Sequence, residues 1–213
     1  VSSEPEDDEP ATEPPANLWE RLRADPVRAP EYIALAASEN HAPAAAKWAN
    51  RRRKVFGTHN KILGEMARRR HATLASFEGA ATGVGGFVTL IPDLVGLAWI
   101  QSRMVFFIAA AYGYDPHDRM RPAELLVING LYPDPESARA ALDGLGRTMA
   151  EAYIGSKLQR DEALTKKLML MVSKSAGKKF GRLIPGFAIA FNAVSNRRDT
   201  NALARRAIKF YGG

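Results

Sequence analysis

Apolar residues along this chain recur at steps of three, four and seven, and no stretch shows the β-branched alternation of a strand, so the pattern predicts an all-α fold. Leu18, Trp19 and Leu22, followed by Tyr32, Ile33 and Leu35, predict two short helices broken around Asp25-Pro26 and Pro30. Pro43 reads as the opening of a first long helix over residues 43–78, with Trp48, Val55, Ile62, Met66, Thr73 and Phe77 as its apolar stripe.

Residues 79–115 form the most distinctive stretch. Gly79 and Gly83 stand one helical turn apart and would let another backbone approach closely. Pro92 fits the first position of a new helix, Asp93 suits the positive end of its dipole, and Gly113 with Asp115-Pro116 predicts its end. A membrane span needs about 20 mostly apolar residues, and neither half of this stretch reaches that length. A buried core hairpin and a hairpin at a membrane interface both fit the sequence, with core the better reading.

Further along, Pro122 to Leu131 predicts a short helix. Asp134-Pro135-Glu136 predicts the start of another that runs toward Ile154. A basic amphipathic helix is expected over 161–175, a second proline-started apolar element over 183–194, and a last helix capped by Asp199 that runs to Phe210 with Arg205, Arg206 and Lys209 outward. The chain thus divides into a disordered acidic tail over 1–16, short N-terminal helices over 17–42 and a single multi-helix domain over 43–213.

Charge sharpens this picture. Val1 to Pro15 holds six acids, four prolines and no base, a composition that predicts disorder and lacks the basic start and apolar run of a signal peptide. The chain carries a formal net charge of +7, so the remainder carries about +13. The cations concentrate in Arg51, Arg52, Arg53, Lys54, Arg68, Arg69 and Arg70, with Lys178 and Lys179 further along, and Glu65 is the sole acid between Lys47 and Arg70. Such a surface attracts phospholipid head groups or nucleic acid. The acidic tail is then a natural intramolecular competitor for it. The absence of cysteine excludes disulfides and thiolate metal sites and points to a reducing compartment, hence to the cytoplasm.

Candidate chemistry is sparse. Asp93, flanked by Ile91, Pro92, Leu94 and Val95, is expected to be partly buried and to need a basic partner, with Arg182 favoured. Gln101, Arg103 and Asn192 are polar groups within apolar elements, suited either to satisfying helix ends or to lining a ligand cleft. His41, His59, His71 and His117 form no metal pattern, with His59 and His71 twelve apart on the expected long helix. No nucleophile-elbow, zinc-protease or phosphate-loop motif occurs, and neither a cofactor nor a metal is expected.

The Gly-rich start at Gly79, the Ile91-Pro92-Asp93-Leu94 turn, Gln101-Ser102-Arg103 and the closing Ala111-Tyr112-Gly113-Tyr114-Asp115 resemble the central signature of the EcsC-like family. Lys178-Lys179 with Arg182-Leu183-Ile184-Pro185-Gly186 and Asn192 resembles its C-terminal block, although relatives carry more glycine where this chain has Phe187 to Phe191. The resemblance implies a bacterial protein without an established enzymatic activity. The function expected from charge and resemblance together is a non-enzymatic module, peripheral on the inner face of the cell membrane, that meets anionic lipid or a membrane protein through basic helix faces. The alternatives are a nucleic-acid-binding module, and a hydrophobic-ligand or enzyme domain with its site between the two Ile-Pro turns.

Overall fold

The computed structural model of the chain describes residues 13–25, 28–81, 90–144 and 197–213. The helix expected over 161–175, the second apolar element and the candidate residues Gly83, Lys178, Lys179, Arg182 and Asn192 lie outside the described residues, as does most of the acidic tail. Among the described residues every element is a helix: α1 (Ala16–Ala24), α2 (Ala29–Phe56), α3 (Asn60–Ala81), α4 (Leu90–Ala111), α5 (Arg121–Ile128), α6 (Pro135–Leu142) and α7 (Arg197–Gly212).

Helix α4 is the hub. It packs against α2, α3, α5 and α7, and every residue from Ala98 to Ala111 is buried. A helix buried on all sides stands at the centre of its fold, and Trp99, Met104, Phe106, Phe107 and Ile108 fill that centre around the buried Gln101, Ser102 and Arg103. Burying each such apolar side chain contributes about 1.5–3 kcal/mol. The C-terminal part of the apolar stretch read as core or membrane hairpin is therefore core, and no described helix is long and apolar enough to cross a membrane. Helix α2 reaches the hub through small residues, Ala34, Ala37, Ala42, Ala45 and Ala49, all buried. Its Trp48 then meets Phe107 with ring centroids 5.4 Å apart.

The long helix expected over 43–78 is two helices, and Pro43 opens neither. It sits inside α2, which runs through the boundary expected between 42 and 43. A mid-helix proline removes the bond to the carbonyl four residues earlier; both Pro43 and Glu39, whose carbonyl is released, lie on the exposed side of the helix. The break comes instead at Gly57, and it resets the helical phase. Trp48 stays buried and Met66 packs partly against the core, but Val55, Ile62 and Thr73 face outward, while Leu63, Ala67 and His71 form the inward face of α3. His59 accordingly lies in the corner rather than on a shared helix with His71.

Other boundaries shift for local reasons. Helix α4 already includes Leu90 and Ile91, so Pro92 stands within the helix rather than at its first position. Asp134 caps α6 as expected, its side chain accepting from the Ser137 N–H. That helix nonetheless stops at Leu142 instead of continuing toward Ile154, because Gly144 adopts φ 75°, a left-handed turn in which its N–H bonds back to the Ala141 carbonyl. Helix α7 includes Arg197 and Arg198 ahead of Asp199, and its Arg205, Arg206 and Lys209 point outward as expected.

Two histidines lie inside the core beside a buried cation. His41 stacks on Trp99 at 4.3 Å, and neither of its ring nitrogens has a hydrogen-bond partner among the described residues. His71 Nδ1 donates to the Ala67 carbonyl at 2.8 Å and its ring meets Phe107 at 4.8 Å. The Arg103 guanidinium lies 4.7 Å over the Phe107 ring. Burial, reinforced by the Arg103 charge, lowers both imidazoles to about 3, and burial with the nearby Arg70 lowers Arg103 to about 10. Both histidines are neutral in the fold but protonate below about 6.5 once the chain unfolds. Their contribution to stability is present above pH 6.5 and is lost as pH falls toward 3. Urea unfolding at pH 7.5 and pH 5.0 should show a lower midpoint at the acidic value, with a smaller drop in His41→Leu, which has no imidazole to protonate.

Candidate functional site

The C-terminal end of α4 gathers the most unusual side chains of the molecule. Gly113, with φ 94°, turns the chain so that its own N–H meets the Ala110 carbonyl and the Tyr114 N–H meets that of Ala109, a closure that only a residue without a Cβ adopts readily. Arg53, near the end of α2, donates to the Ala110 carbonyl and, at 3.5 Å, to that of Ala111. Asn60, which opens α3, donates its amide N–H to the Tyr112 carbonyl at 3.4 Å. A cation at the negative end of a helix dipole is favourable. These bonds fasten the corner between α2 and α3 to the end of the hub.

Tyr112 is clamped between two glycines. A Cβ on Gly64 would stand 2.7 Å from Tyr112 Cε2, and one on Gly212 would stand 3.0 Å from Cε1, so the ring fits only because α3 and α7 both present bare backbone to it. Beside it opens a cleft of about 410 Å³ lined by Asn60, Lys61, Tyr112, Gly113, Tyr114, Tyr211 and Gly212. Tyr114 and Tyr211 meet at 5.0 Å, and the Arg121 guanidinium lies 5.0 Å and 5.6 Å from their respective ring centroids. Arg121 is ion-paired to Glu124 at 2.5 Å. Burial raises the Glu124 carboxyl against the opposing pull of Tyr211 and Arg121, and burial also pushes the Tyr211 hydroxyl well above its ordinary value. The Tyr114 and Tyr211 rings that line the cleft are thus backed by a buried ion pair, Arg121 with Glu124, that does not itself line it.

This end also carries all the exposed large hydrophobic residues among the described ones: Val55 (73% exposed), Phe56 (39%), Ile62 (51%), Tyr114 (43%) and Phe210 (39%). They come from the end of α2, the start of α3, the turn after α4 and the end of α7.

The candidate residues read from sequence distribute unevenly. Gln101 is buried and donates to Thr200 Oγ1 at 3.2 Å, joining α4 to α7; Arg103 is buried beside the two histidines. Asp93 belongs to the first turns of α4, and its expected pairing with Arg182 lies outside the described residues. Gly79 lies in α3. Among the basic residues, Lys54 and Arg69 are exposed while Arg51, Arg52, Arg53, Arg68 and Arg70 are half-buried. Arg53 and Arg68 have structural partners, the first at the α4 carbonyls and the second at Glu65 (Nε to Oε2, 2.7 Å) and Asn201. The Arg68 and Arg69 bonds hold the Glu65 carboxyl down at about 2. No three His, Asp or Glu side chains among the described residues come together in a way that would hold a metal ion. Sequence reading placed Tyr112 in the family signature without a role, and missed Gly64, Tyr211 and the buried pair in which Tyr132 Oη donates to Glu31 Oε1 at 2.5 Å. A glycine inside a helix, as at Gly64, was the available signal for a close approach.

A model of the EcsC protein family matches residues 41–212, a stretch that begins inside α2 and takes in the whole of this end of the bundle. The chain is also similar to a protein of Bacillus subtilis (strain 168) named uncharacterized protein YdbA, 24% identical over 138 residues; the match covers 64% of this chain and 51% of that protein, so the chain spans about half of its length. No solved structure matches.

The clamp on Tyr112 gives a direct test of the site's rigidity. Gly64→Ala adds a methyl where the ring cannot retreat, since Gly212 bounds its other edge. The expected loss is about 1 kcal/mol or more after the helix-propensity gain of alanine is set against the overpacking. In a Tyr112→Ala background the same change should be neutral or stabilising, a coupling that thermal melts of the four variants would read.

Proposed function

The chain belongs to the EcsC protein family, and we propose that this member is a non-enzymatic module that attaches peripherally to anionic membrane surfaces through its basic helix faces. The observation that carries this reading is the charge of the stretch from α2 into α3. Lys47, Lys54, Lys61 and Arg69 are exposed there, Arg51, Arg52 and Arg70 are half-buried beside them, and Glu65, the sole acid in residues 47–70, is already engaged by Arg68 and Arg69. Near an anionic leaflet each such cation contributes about 1 kcal/mol, so the exposed Lys47, Lys54 and Lys61 with the half-buried Arg51, Arg52 and Arg70 beside them suffice for reversible attachment without a membrane span. Arg205, Arg206 and Lys209 on the outer face of α7 add to the same field.

Cosedimentation of the full chain with phosphatidylcholine vesicles and with phosphatidylserine-containing vesicles across a salt series tests this directly. The expected result is pelleting with the anionic vesicles at low salt, falling as salt rises, and weakened by Lys54→Glu with Lys61→Glu. No pelleting at low salt ends the reading. Steep salt-dependent retention of nucleic acid without vesicle binding would replace it with the nucleic-acid alternative.

A further inference from the structure

We propose that the corner between α2 and α3 is a wedge that enters the lipid interface, with Val55, Phe56 and Ile62 passing below the phosphate level and Lys54 and Lys61 meeting the phosphates. The inference rests on the membrane-surface reading and adds to it an orientation, end-on, and a hydrophobic contribution that charge alone does not supply.

Singly exposed apolar residues need no explanation, whereas a group of them on one feature does. Here three of the five exposed large hydrophobics fall within eight residues, Val55 to Ile62, on both sides of a three-residue corner at 57–59. The other two, Tyr114 and Phe210, stand at the same end of the bundle. The chemistry around the tip identifies its occupant. Residues 40–64 contain no acid, and the exposed Lys54 and Lys61 stand next to apolar positions, Lys54 directly before Val55 and Lys61 directly before Ile62, so the apolar tip is set in positive charge. An apolar tip collared by cations is complementary to an anionic bilayer, apolar beneath and negative at its surface.

The corner is also held in shape before any contact is made. Arg53 and Asn60, on the two helices that meet there, are both bonded at the end of α4, Arg53 to the Ala110 and Ala111 carbonyls and Asn60 to that of Tyr112 just past them. The wedge therefore loses little conformational freedom on insertion. Because the three side chains are solvent-exposed, polar substitutions there leave the core intact, which makes the test clean.

The experiment uses the full chain and vesicles of phosphatidylserine mixed with phosphatidylcholine brominated on its acyl chains. Phe56→Trp should show a blue-shifted emission on these vesicles and quenching well beyond that of the unsubstituted chain, whose Trp48 and Trp99 are buried and whose Trp19, on α1, is half-buried. Val55→Ser with Ile62→Ser should reduce binding at physiological salt by about tenfold or more while retaining the low-salt binding that cations provide. Vesicle binding without quenching, together with unchanged binding of the serine variant at every salt, overturns the wedge and leaves surface attachment standing. Absence of anionic-vesicle binding at low salt overturns both. A concentration-dependent dimer abolished by the serine substitutions, with no quenching on vesicles, would assign the corner to self-association and overturn the wedge as well.

Discussion

A helix buried at the centre of a domain must still satisfy the carbonyls of its last turn, and in this protein the way α4 does so organises its surroundings. Gly113 supplies the backbone turn, and Arg53 and Asn60 supply side-chain donors from the two helices that meet beside it. The α2–α3 corner stands where it does because those donors must reach the end of α4. Tyr112 and Tyr114, on either side of the turning glycine, are thereby fixed against α3 and α7. Core architecture and the character of the exposed end thus share one cause.

The polar groups along α4 divide into two kinds. Gln101 and Ser102 are bonded, to Thr200 and to the Ala98 carbonyl, and fasten the hub to a neighbour and to itself. His41, His71 and Arg103 form the second kind, buried among aromatic rings with unsatisfied nitrogens among the described residues. Neutral imidazoles tolerate that setting because they carry no charge to desolvate, and the flat guanidinium tolerates it by lying on the Phe107 ring. The cost of keeping a cation in the core is lowered by the two neighbours remaining uncharged.

Much of this was legible in sequence where a local signal coincided with the tertiary outcome. Asp134 before Pro135, Gly113 after an apolar run, and the all-apolar character of residues 104–112 each specify a structure that neighbours do not override. The corner at Gly57 was not legible, because Val55 and Ile62 are seven apart and a step of seven preserves apparent phase across a break. Two residues read as core were consequently the exposed tip. Pro43 misled because a proline, costly inside a helix, is tolerated within α2, whose buried face packs against α4 and α5 on either side of it. The cations were visible as a density, but which of them the fold uses, Arg53 on α4 and Arg68 on Glu65 and Asn201, depends on partners far away in sequence. The cleft was invisible for the same reason, since its wall joins Lys61, Tyr114 and Tyr211.

Helix α7 completes that wall from a great distance along the chain. The Arg68 bond to Asn201 spans 133 residues, and Tyr112 is held on one edge by Gly64 and on the other by Gly212. Closing so long a loop carries an entropic cost that must be met before any contact rewards it. The wall therefore depends on segments that no local signal brings together, α3 and the turn after α4 on one side and α7 on the other. Without α7, one edge of Tyr112 would stand open to water, and the cleft would be only half a wall.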